Sequence, residues 1–319
     1  MPTPSVSRIA WPLAGLALFY WGALHSPPER PAPDAGAAHA APGEQEGGAR
    51  RQREGAGSAE RVEPAEARRL ASLSRSALLA GRFQEALDPT LRLHQAFPTN
   101  HVFVGRLADI HHALGRPVEE ARDWEEFLTL APVPAEACPY LGKAYWTAGE
   151  RRRAVDAFER CLALNPNDSD SIFFLAWACE RTGDIEKARE LYERGHRISP
   201  AYPDISIGLA RMQLRDGRNE AARRIAASVL AGSPDQVDAL LVMGLALQRE
   251  GRGAEARGYL ERGAKLSDTY ADFHIALGRL DEREGDYGAA RGRYEHVLGL
   301  DPENREARDG LRRVAGRAR

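Results

Sequence analysis

Residues 169–202 read SDSIFFLAWACERTGDIEKARELYERGHRISPAY, and the same pattern recurs every 34 residues along most of the chain. The fifteenth residue of the pattern is glycine in seven consecutive copies, with no insertion between them. These copies, repeats 1–7, begin at residues 67, 101, 135, 169, 203, 237 and 271. A strict period of this length indicates a stack of identical supersecondary units and therefore predicts a solenoid.

The composition of one repeat predicts two packed helices. Positions are counted from the first residue of each repeat: large apolar residues dominate positions 7 and 24, and small residues dominate positions 8 and 20. Small residues let two helix backbones approach closely, and the large ones fill the space around that contact. Glycine at position 15 suits the left-handed end of the first helix. Proline at position 32 stops the second helix in six repeats, whereas Asp268 occupies that position in repeat 6.

This pattern resembles the tetratricopeptide repeat family, which is marked by Gly or Ala at position 8, Ala at position 20 and Pro at position 32. The resemblance covers residues 67–304 and implies an all-α, right-handed superhelical solenoid of about seven helix-turn-helix repeats. It also implies a concave groove lined by the first helices. Repeat 2 departs from the pattern with Glu120 at position 20 beside Ala121, which we interpret as a locally shifted helix beginning at Pro117. Residues 305–319 are expected to form a cap helix and a basic tail.

The N-terminal part of the chain differs in composition from the repeats. Residues 9–24 form an uncharged apolar run after Arg8, and we expect residues 1–25 to be an uncleaved signal anchor or transmembrane segment. A cleaved signal peptide, which would release a secreted protein, is the alternative. The positive-inside rule places the repeats in the periplasm or another extracytoplasmic space. Residues 26–66 are rich in Pro, Ala, Gly and Glu, which predicts a disordered linker.

Composition and motifs argue against several function classes. A net charge of −2 with 28% charged residues does not favour nucleic acid as a partner. The sequence contains no nucleophile elbow, zinc-protease, P-loop or dinucleotide motif, and no segment remains for a catalytic domain. We therefore predict that the protein is not an enzyme and that it uses no cofactor.

Two residue groups carry side chains that can bind metals or form disulfides. Cys138, Cys161 and Cys179 occupy helix-packing positions and read as three buried thiols, or as a Cys161–Cys179 disulfide if the domain is exported. His111-His112 and Asp109 share one helix, but a third ligand is lacking, so an exposed polar patch is the favoured interpretation. We predict no metal site.

The predicted groove supplies the candidate partner-binding residues. The family resemblance places positions 2, 5, 9, 12 and 13 on the groove. Position 2 is mostly acidic, and the other positions of repeats 3–7 carry large apolar and basic side chains. Such a surface suits a peptide or protein that combines an apolar anchor with acidic residues. The alternative is that the apolar side chains pack between neighbouring helices and that the arginines complement helix dipoles. The candidates are Lys143, Trp146, Phe173, Trp177, Arg181, Ile207, Arg211, Arg215, Leu241, Arg249, Ile275, Arg279 and Arg283.

The predicted function is a membrane-tethered scaffold or adaptor that holds a partner peptide or protein in this groove. Anchored bacterial relatives serve envelope assembly, secretion, pilus assembly or cytochrome maturation, and the resemblance does not choose among them. The alternative is an accessory or regulatory subunit of an enzyme complex.

Overall fold

The computed structural model describes residues 62–131 and 137–317. Within those residues the structure consists of fifteen α-helices and contains no strand. The helices are α1 Pro64–Leu79, α2 Phe83–Ala96, α3 His101–Ala113, α4 Pro117–Leu130, α5 Cys138–Thr147, α6 Arg151–Leu164, α7 Ser169–Thr182, α8 Ile185–Ile198, α9 Pro203–Arg215, α10 Asn219–Gly232, α11 Val237–Arg249, α12 Gly253–Leu266, α13 Ala271–Glu284, α14 Tyr287–Leu300 and α15 Arg305–Val314.

The helices fall into two compact units, each described by itself. Helices α1–α4 belong to the unit that ends at Pro132, and α5–α15 belong to the unit that begins at Val133. Within each unit, the two helices of one repeat pack against each other, and the second helix packs against the first helix of the next repeat. This connectivity is that of a helical repeat array.

The helix boundaries follow from the glycines at position 15. All seven adopt positive φ angles, from 67° at Gly115 to 94° at Gly183, and each follows the end of a first helix. A side chain on Cβ would be strained in this left-handed conformation, which explains why glycine recurs there.

The helix crossing lies where the small residues predicted it. Alanine at position 20 has no solvent exposure in the six repeats that carry it. A Cβ added to Gly142, at position 8, would lie 2.3 Å from the ring of Phe158, at position 24. The predicted all-α helical repeat fold is therefore confirmed.

Repeat 2 keeps this arrangement although a carboxylate replaces the small residue. Glu120 is only 6% exposed, and Trp124, one turn later, is 3% exposed. Both carboxylate oxygens of Glu120 lie 3.1 Å from His112 Nδ1 on the first helix of the repeat. Helix α4 begins at Pro117 as expected, but the pairing with His112 accommodates Glu120 without the shifted helix.

The cysteines differ from the sequence-based expectation. Cys138 and Cys161 form a disulfide with Cα atoms 5.3 Å apart, and Cys179 is a buried free thiol. Burial raises the pKa of the Cys179 thiol to about 11. The favoured expectation of three buried thiols holds only for Cys179, and the alternative Cys161–Cys179 disulfide is also wrong. Positions 4 and 27, which carry Cys138 and Cys161, face each other between the two helices of repeat 3.

The predicted localisation requires a correction. The helices of the part of the chain that the structure describes have 10 to 16 residues, and none is long and apolar enough to cross a membrane. A spanning helix needs about 20 apolar residues. This finding overturns the assignment as a single-pass membrane protein. The apolar run at residues 9–24 and most of the predicted linker lie outside the described residues.

Candidate functional site

The predicted site residues lie on the first helices of repeats 3–7. Helices α5, α7, α9, α11 and α13 contact one another in order, and we call the surface that they form the first-helix face. All these helices belong to the unit that begins at Val133.

Most of the predicted apolar row is packed inside this unit. Ile207, Leu241 and Ile275 are 1%, 8% and 4% exposed, whereas Phe173 is half-buried. Ile207 and Leu241 join the core formed by α9–α13. Ile275 joins a second core with residues of α14 and α15, so these three side chains offer little apolar surface to a partner.

Two tryptophans from neighbouring repeats pack against each other. The ring centroids of Trp146 and Trp177 lie 4.4 Å apart. The two side chains are 9% and 8% exposed, so little indole surface reaches solvent. Their faces instead contact cationic side chains.

Four of the predicted basic residues have protein partners. Arg211 donates to both carboxylate oxygens of Glu180, at 3.2 and 2.7 Å, and Arg279 lies 2.9 Å from Glu306 of α15. Two further arginines, at position 13, donate to main-chain carbonyls at the end of the preceding first helix. They are Arg249, bonded to Leu214, and Arg283, bonded to Gln248 at 3.1 Å. The two position-13 arginines thus satisfy carbonyls at the C-terminal end of the preceding first helix rather than of their own helix.

Repeats 3 and 4 arrange their cations differently. Arg151 and Arg181 place their guanidinium carbons 4.0 Å and 5.6 Å from the Trp146 and Trp177 ring centroids. Lys143 Nζ lies 4.0 Å from the ring centroid of Phe174. Arginine over an indole face is a favourable cation–π arrangement. We define the aromatic–cationic patch as Lys143, Trp146, Arg151, Phe173, Trp177 and Arg181.

Arg151 is the member of the patch that sequence reasoning missed. It donates at 2.5 Å to the Trp146 main-chain oxygen, the position-12 carbonyl that corresponds to those bonded by Arg249 and Arg283 in later repeats. Arg181 stands at position 13 and makes no ion pair with any carboxylate in the described residues. Position 17, where Arg151 stands, has a different residue in every repeat, and Arg151 is the only arginine among them. That single arginine is the only signal in the sequence that could have indicated this position.

The two guanidinium groups affect each other. Partial burial and the positive charge of Arg181 lower the pKa of Arg151. Burial is the larger cause, and the charge of Arg181 adds to it; an anion placed beside the two guanidinium groups would relieve their repulsion. Arg215, the remaining predicted basic residue, is exposed.

Carboxylates at position 2 lie on the same helices, in their first turns. Burial and the charges of Asp238 and Asp170 raise the pKa of Asp204, and burial with Glu306 and Asp238 raises that of Asp272. The acids of position 2 and the arginines of position 13 therefore lie at opposite ends of these helices.

The histidines of repeat 2 form cross-helix pairs. His111 Nδ1 lies 2.6 Å from Asp123 Oδ2, and His112 pairs with the buried Glu120. Burial raises the pKa of Asp109 to about 7, an effect that the charge of His112 opposes and that of Glu120 reinforces. The expected exposed polar patch is therefore a partly buried network within the unit that ends at Pro132.

Comparison with known sequences identifies the repeats. Two family models described as tetratricopeptide repeat match residues 141–203 and 183–241. Residues 141–241 therefore consist of tetratricopeptide repeats. No curated protein sequence matches it. Tetratricopeptide repeat proteins generally act as non-catalytic scaffolds for protein–protein interaction.

Solved structures show the same fold at low identity. A tetratricopeptide repeat protein from Parabacteroides merdae has a TM-score of 0.63 at 14% identity, and the match covers 79% of this chain and 100% of that one. The APC/C hetero-tetramer Cut9–Hcn1 gives 0.63 at 18% identity over 79% of this chain and 49% of that chain. The C-terminal part of a tetratricopeptide repeat-containing protein from Cytophaga hutchinsonii gives 0.53 at 18% identity, covering 77% and 99%.

Proposed function

We propose that this tetratricopeptide repeat protein is a scaffold that binds an acidic segment of a protein partner at the aromatic–cationic patch. One observation carries the proposal. Arg151 donates its hydrogen bond to the carbonyl at the end of α5, and Arg181 lies over the Trp177 ring without a carboxylate partner in the described residues. In repeats 6 and 7 the arginine at the same position donates a hydrogen bond to the equivalent carbonyl.

The chemistry of the patch favours a carboxylate. A guanidinium group donates up to two parallel hydrogen bonds to one carboxylate, and the bond is stronger when both groups are charged. Arg151 and Arg181 already lie close enough for the charge of Arg181 to lower the pKa of Arg151. An Asp or Glu of the partner would neutralise this repulsion. Its binding would therefore be favoured by both cations.

An apolar contact lies beside these cations. Phe173, Trp177 and Arg181 are spaced four residues apart on α7 and therefore lie along one side of that helix. Phe173 keeps partial exposure, whereas Trp177 is buried against Trp146. We assign the apolar anchor of the partner to Phe173, and Trp177 supports the patch from below.

The acids at position 2 would orient the bound segment. Asp170 and Asp204 stand in the first turns of α7 and α9, at the opposite end of these helices from Arg181. Like charges across an interface suppress wrong orientations, and opposite charges mainly accelerate association. An acidic segment is therefore directed toward the later part of each helix.

The test uses ten-residue fluorescent peptides with a central leucine, one glutamate-rich and one lysine-rich, and the full chain. We expect that only the glutamate-rich peptide binds and that its affinity falls as the salt concentration increases. Arg151→Glu with Arg181→Glu should slow association and weaken its salt dependence. The matched control, Arg152→Glu with Arg160→Glu, changes two exposed arginines of the same helix α6 by the same total charge.

Phe173→Ala separates the apolar contribution from the charges. We expect it to raise the dissociation rate with little change in salt dependence, as the loss of an interface anchor does. The proposal would be contradicted if both peptides bound equally well. It would also be contradicted if the Arg151/Arg181 double variant and the Arg152/Arg160 control lost the same affinity for the glutamate-rich peptide. Far-ultraviolet circular dichroism checks that every variant keeps its helices. The assignments to envelope assembly, secretion or cytochrome maturation remain predictions.

A further inference from the structure

Three potential metal ligands meet where repeat 6 joins repeat 7. Asp268 follows α12, His274 lies on α13 and His296 lies on α14. His274 Nε2 is 3.3 Å from Asp268 Oδ1, and His296 Nε2 is 3.5 Å from Asp268 Oδ2. The imidazole ring centroids are 4.2 Å apart, and one ligand atom from each residue lies within 4.8 Å of the others.

The other repeats show that the fold does not require these residues. Asp268 replaces the proline of position 32, and His274 replaces the mostly apolar residue of position 4. His296 occupies position 26, which is arginine in four other repeats. The corresponding residues one repeat earlier are Pro234, Leu240 and Arg262. Three departures that are distant in the sequence therefore converge on one point of the structure.

Hydrogen bonding alone accounts poorly for two imidazoles at this joint. His274 Nε2 and His296 Nε2 lie 3.0 and 3.2 Å from the same main-chain oxygen of Asp268. At the joint before repeat 5, the Ser206 hydroxyl donates to the equivalent oxygen of Pro200 at 3.2 Å. A serine is thus sufficient for that role, and His274 supplies a buried aromatic nitrogen where a hydroxyl would serve.

We propose that His274, His296 and Asp268 bind a divalent transition-metal ion of the zinc class. Two imidazoles and one carboxylate form a donor set that suits zinc, cobalt or nickel better than magnesium or calcium. Tetrahedral zinc with ligand bonds of about 2.0–2.1 Å separates its ligand atoms by about 3.3–3.4 Å. His274 Nε2 lies 3.3 Å from Asp268 Oδ1 and His296 Nε2 lies 3.5 Å from Asp268 Oδ2, so each nitrogen is already close to this separation from one carboxylate oxygen. The three ligand atoms lie within 4.8 Å of one another, and closing them around one ion requires only a small movement of the exposed carboxylate.

Access to the ion would come through the carboxylate. The Asp268 side chain is 70% exposed, and that of His296 is 36% exposed, whereas that of His274 is 7% exposed. Binding places the proton of each ring on Nδ1, because Nε2 becomes the ligand. Three protein ligands leave a fourth tetrahedral position for water or for a side chain of a partner.

A bound ion would fasten the joint between two repeats. It would link the segment after α12 to both helices of repeat 7, through Asp268, His274 and His296. Because repeat arrays gain much of their stability from nearest-neighbour interfaces, we expect the ion to stabilise this end of the array.

The test replaces each ligand with the residue found at the same position one repeat earlier: Asp268→Pro, His274→Leu and His296→Arg. The proline is compatible with the backbone, because Ser267 has φ −145° and ψ 84° and Ser233, before Pro234, has φ −135° and ψ 82°. Zinc binding to the full chain is measured by calorimetry, and cobalt binding by its visible absorption. We expect one ion per chain, with each substitution lowering affinity by more than the roughly 10–100-fold that loss of an outer-sphere partner causes.

The control for other histidines is the double variant His111→Gln and His112→Gln, which should bind zinc as the wild type does. Zinc should also raise the melting temperature of the wild type and of this control, but not of the three ligand variants. Failure of the wild type to bind zinc or cobalt would overturn the proposal. Unchanged affinity in all three ligand variants, or loss of binding only in the His111/His112 variant, would also overturn it.

Discussion

Two glycine-to-alanine substitutions in one helix test the packing between repeats 6 and 7. Gly258 and Gly263 both lie in α12. A Cβ on Gly258 would have no neighbour within 4 Å, whereas a Cβ on Gly263 would lie 2.1 Å from Cε1 and 2.2 Å from Cζ of Phe273. Phe273, on α13, has no solvent exposure. The same change therefore meets open space at one site and a buried ring at the other.

The magnitudes follow from two opposing effects. Alanine is more favourable than glycine in a helix by about 1 kcal/mol, and this gain applies at both positions. At Gly263 the added methyl group must displace the Phe273 ring, and overpacking of this kind destabilises by about 1–3 kcal/mol. We therefore expect Gly258→Ala to stabilise by up to about 1 kcal/mol. Gly263→Ala should be less stable than Gly258→Ala by about 1–3 kcal/mol.

The measurement is urea unfolding followed by far-ultraviolet circular dichroism. A double variant, Gly263→Ala with Phe273→Leu, removes the edge of the ring that the methyl group meets. Its loss of stability should be smaller than the sum of the two single losses, because residues in contact are not additive. Equal unfolding midpoints for Gly258→Ala and Gly263→Ala would refute the close approach of α12 and α13.

Three further predictions concern stability. The pKa of Asp109 is raised from 3.8 to about 7, so between these values the native state binds a proton that the unfolded state does not. The stability of the wild type should therefore fall as pH rises from about 4 to 7, and Asp109→Asn should flatten that decline, as urea midpoints across this range would show. Reduction of the Cys138–Cys161 disulfide, which spans 23 residues, should destabilise by about 3 kcal/mol, and a Cys138→Ser variant should not respond to the reductant. Asp168→Ala should cost about 1 kcal/mol because its carboxylate caps α7 at 2.7 Å, whereas Asp184→Ala should cost less because its capping contact is 3.4 Å; thermal melts compare the two.

The sequence predicts the pairing of helices well because each repeat repeats the same local solution. Gly183 ends a first helix, and Gly142 faces Phe158, as the spacing of glycine and small residues indicates. The sequence alone does not decide whether Ile207 and Ile275 are buried, and the reason is physical. Their position on one helix is evident from the period, but their burial depends on how closely the neighbouring first helix approaches, which depends on packing across repeats.

Features that occur once were harder to predict. Arg151 stands at a position without a shared residue type, and its bond to the Trp146 carbonyl depends on side-chain geometry. The Cys138–Cys161 pairing depends on the distance between two helices, which counting along the chain does not supply. Asp268 was visible as a break in the proline series, but only the structure brings it beside histidines from two helices.

The arginine bonds between repeats bear on how this chain can change in length. Arg249 and Arg283 each donate a hydrogen bond to a main-chain carbonyl that lies 35 residues earlier, which is one residue more than the period. A duplication or loss of 34 residues moves a helix pair, its glycine and its arginine together, so every such bond can form again with the new neighbour. A change of another length would bring an unrelated side chain to the open carbonyl. Duplication or loss of whole repeats would therefore preserve these bonds at the joints that carry them, whereas a change of another length would not.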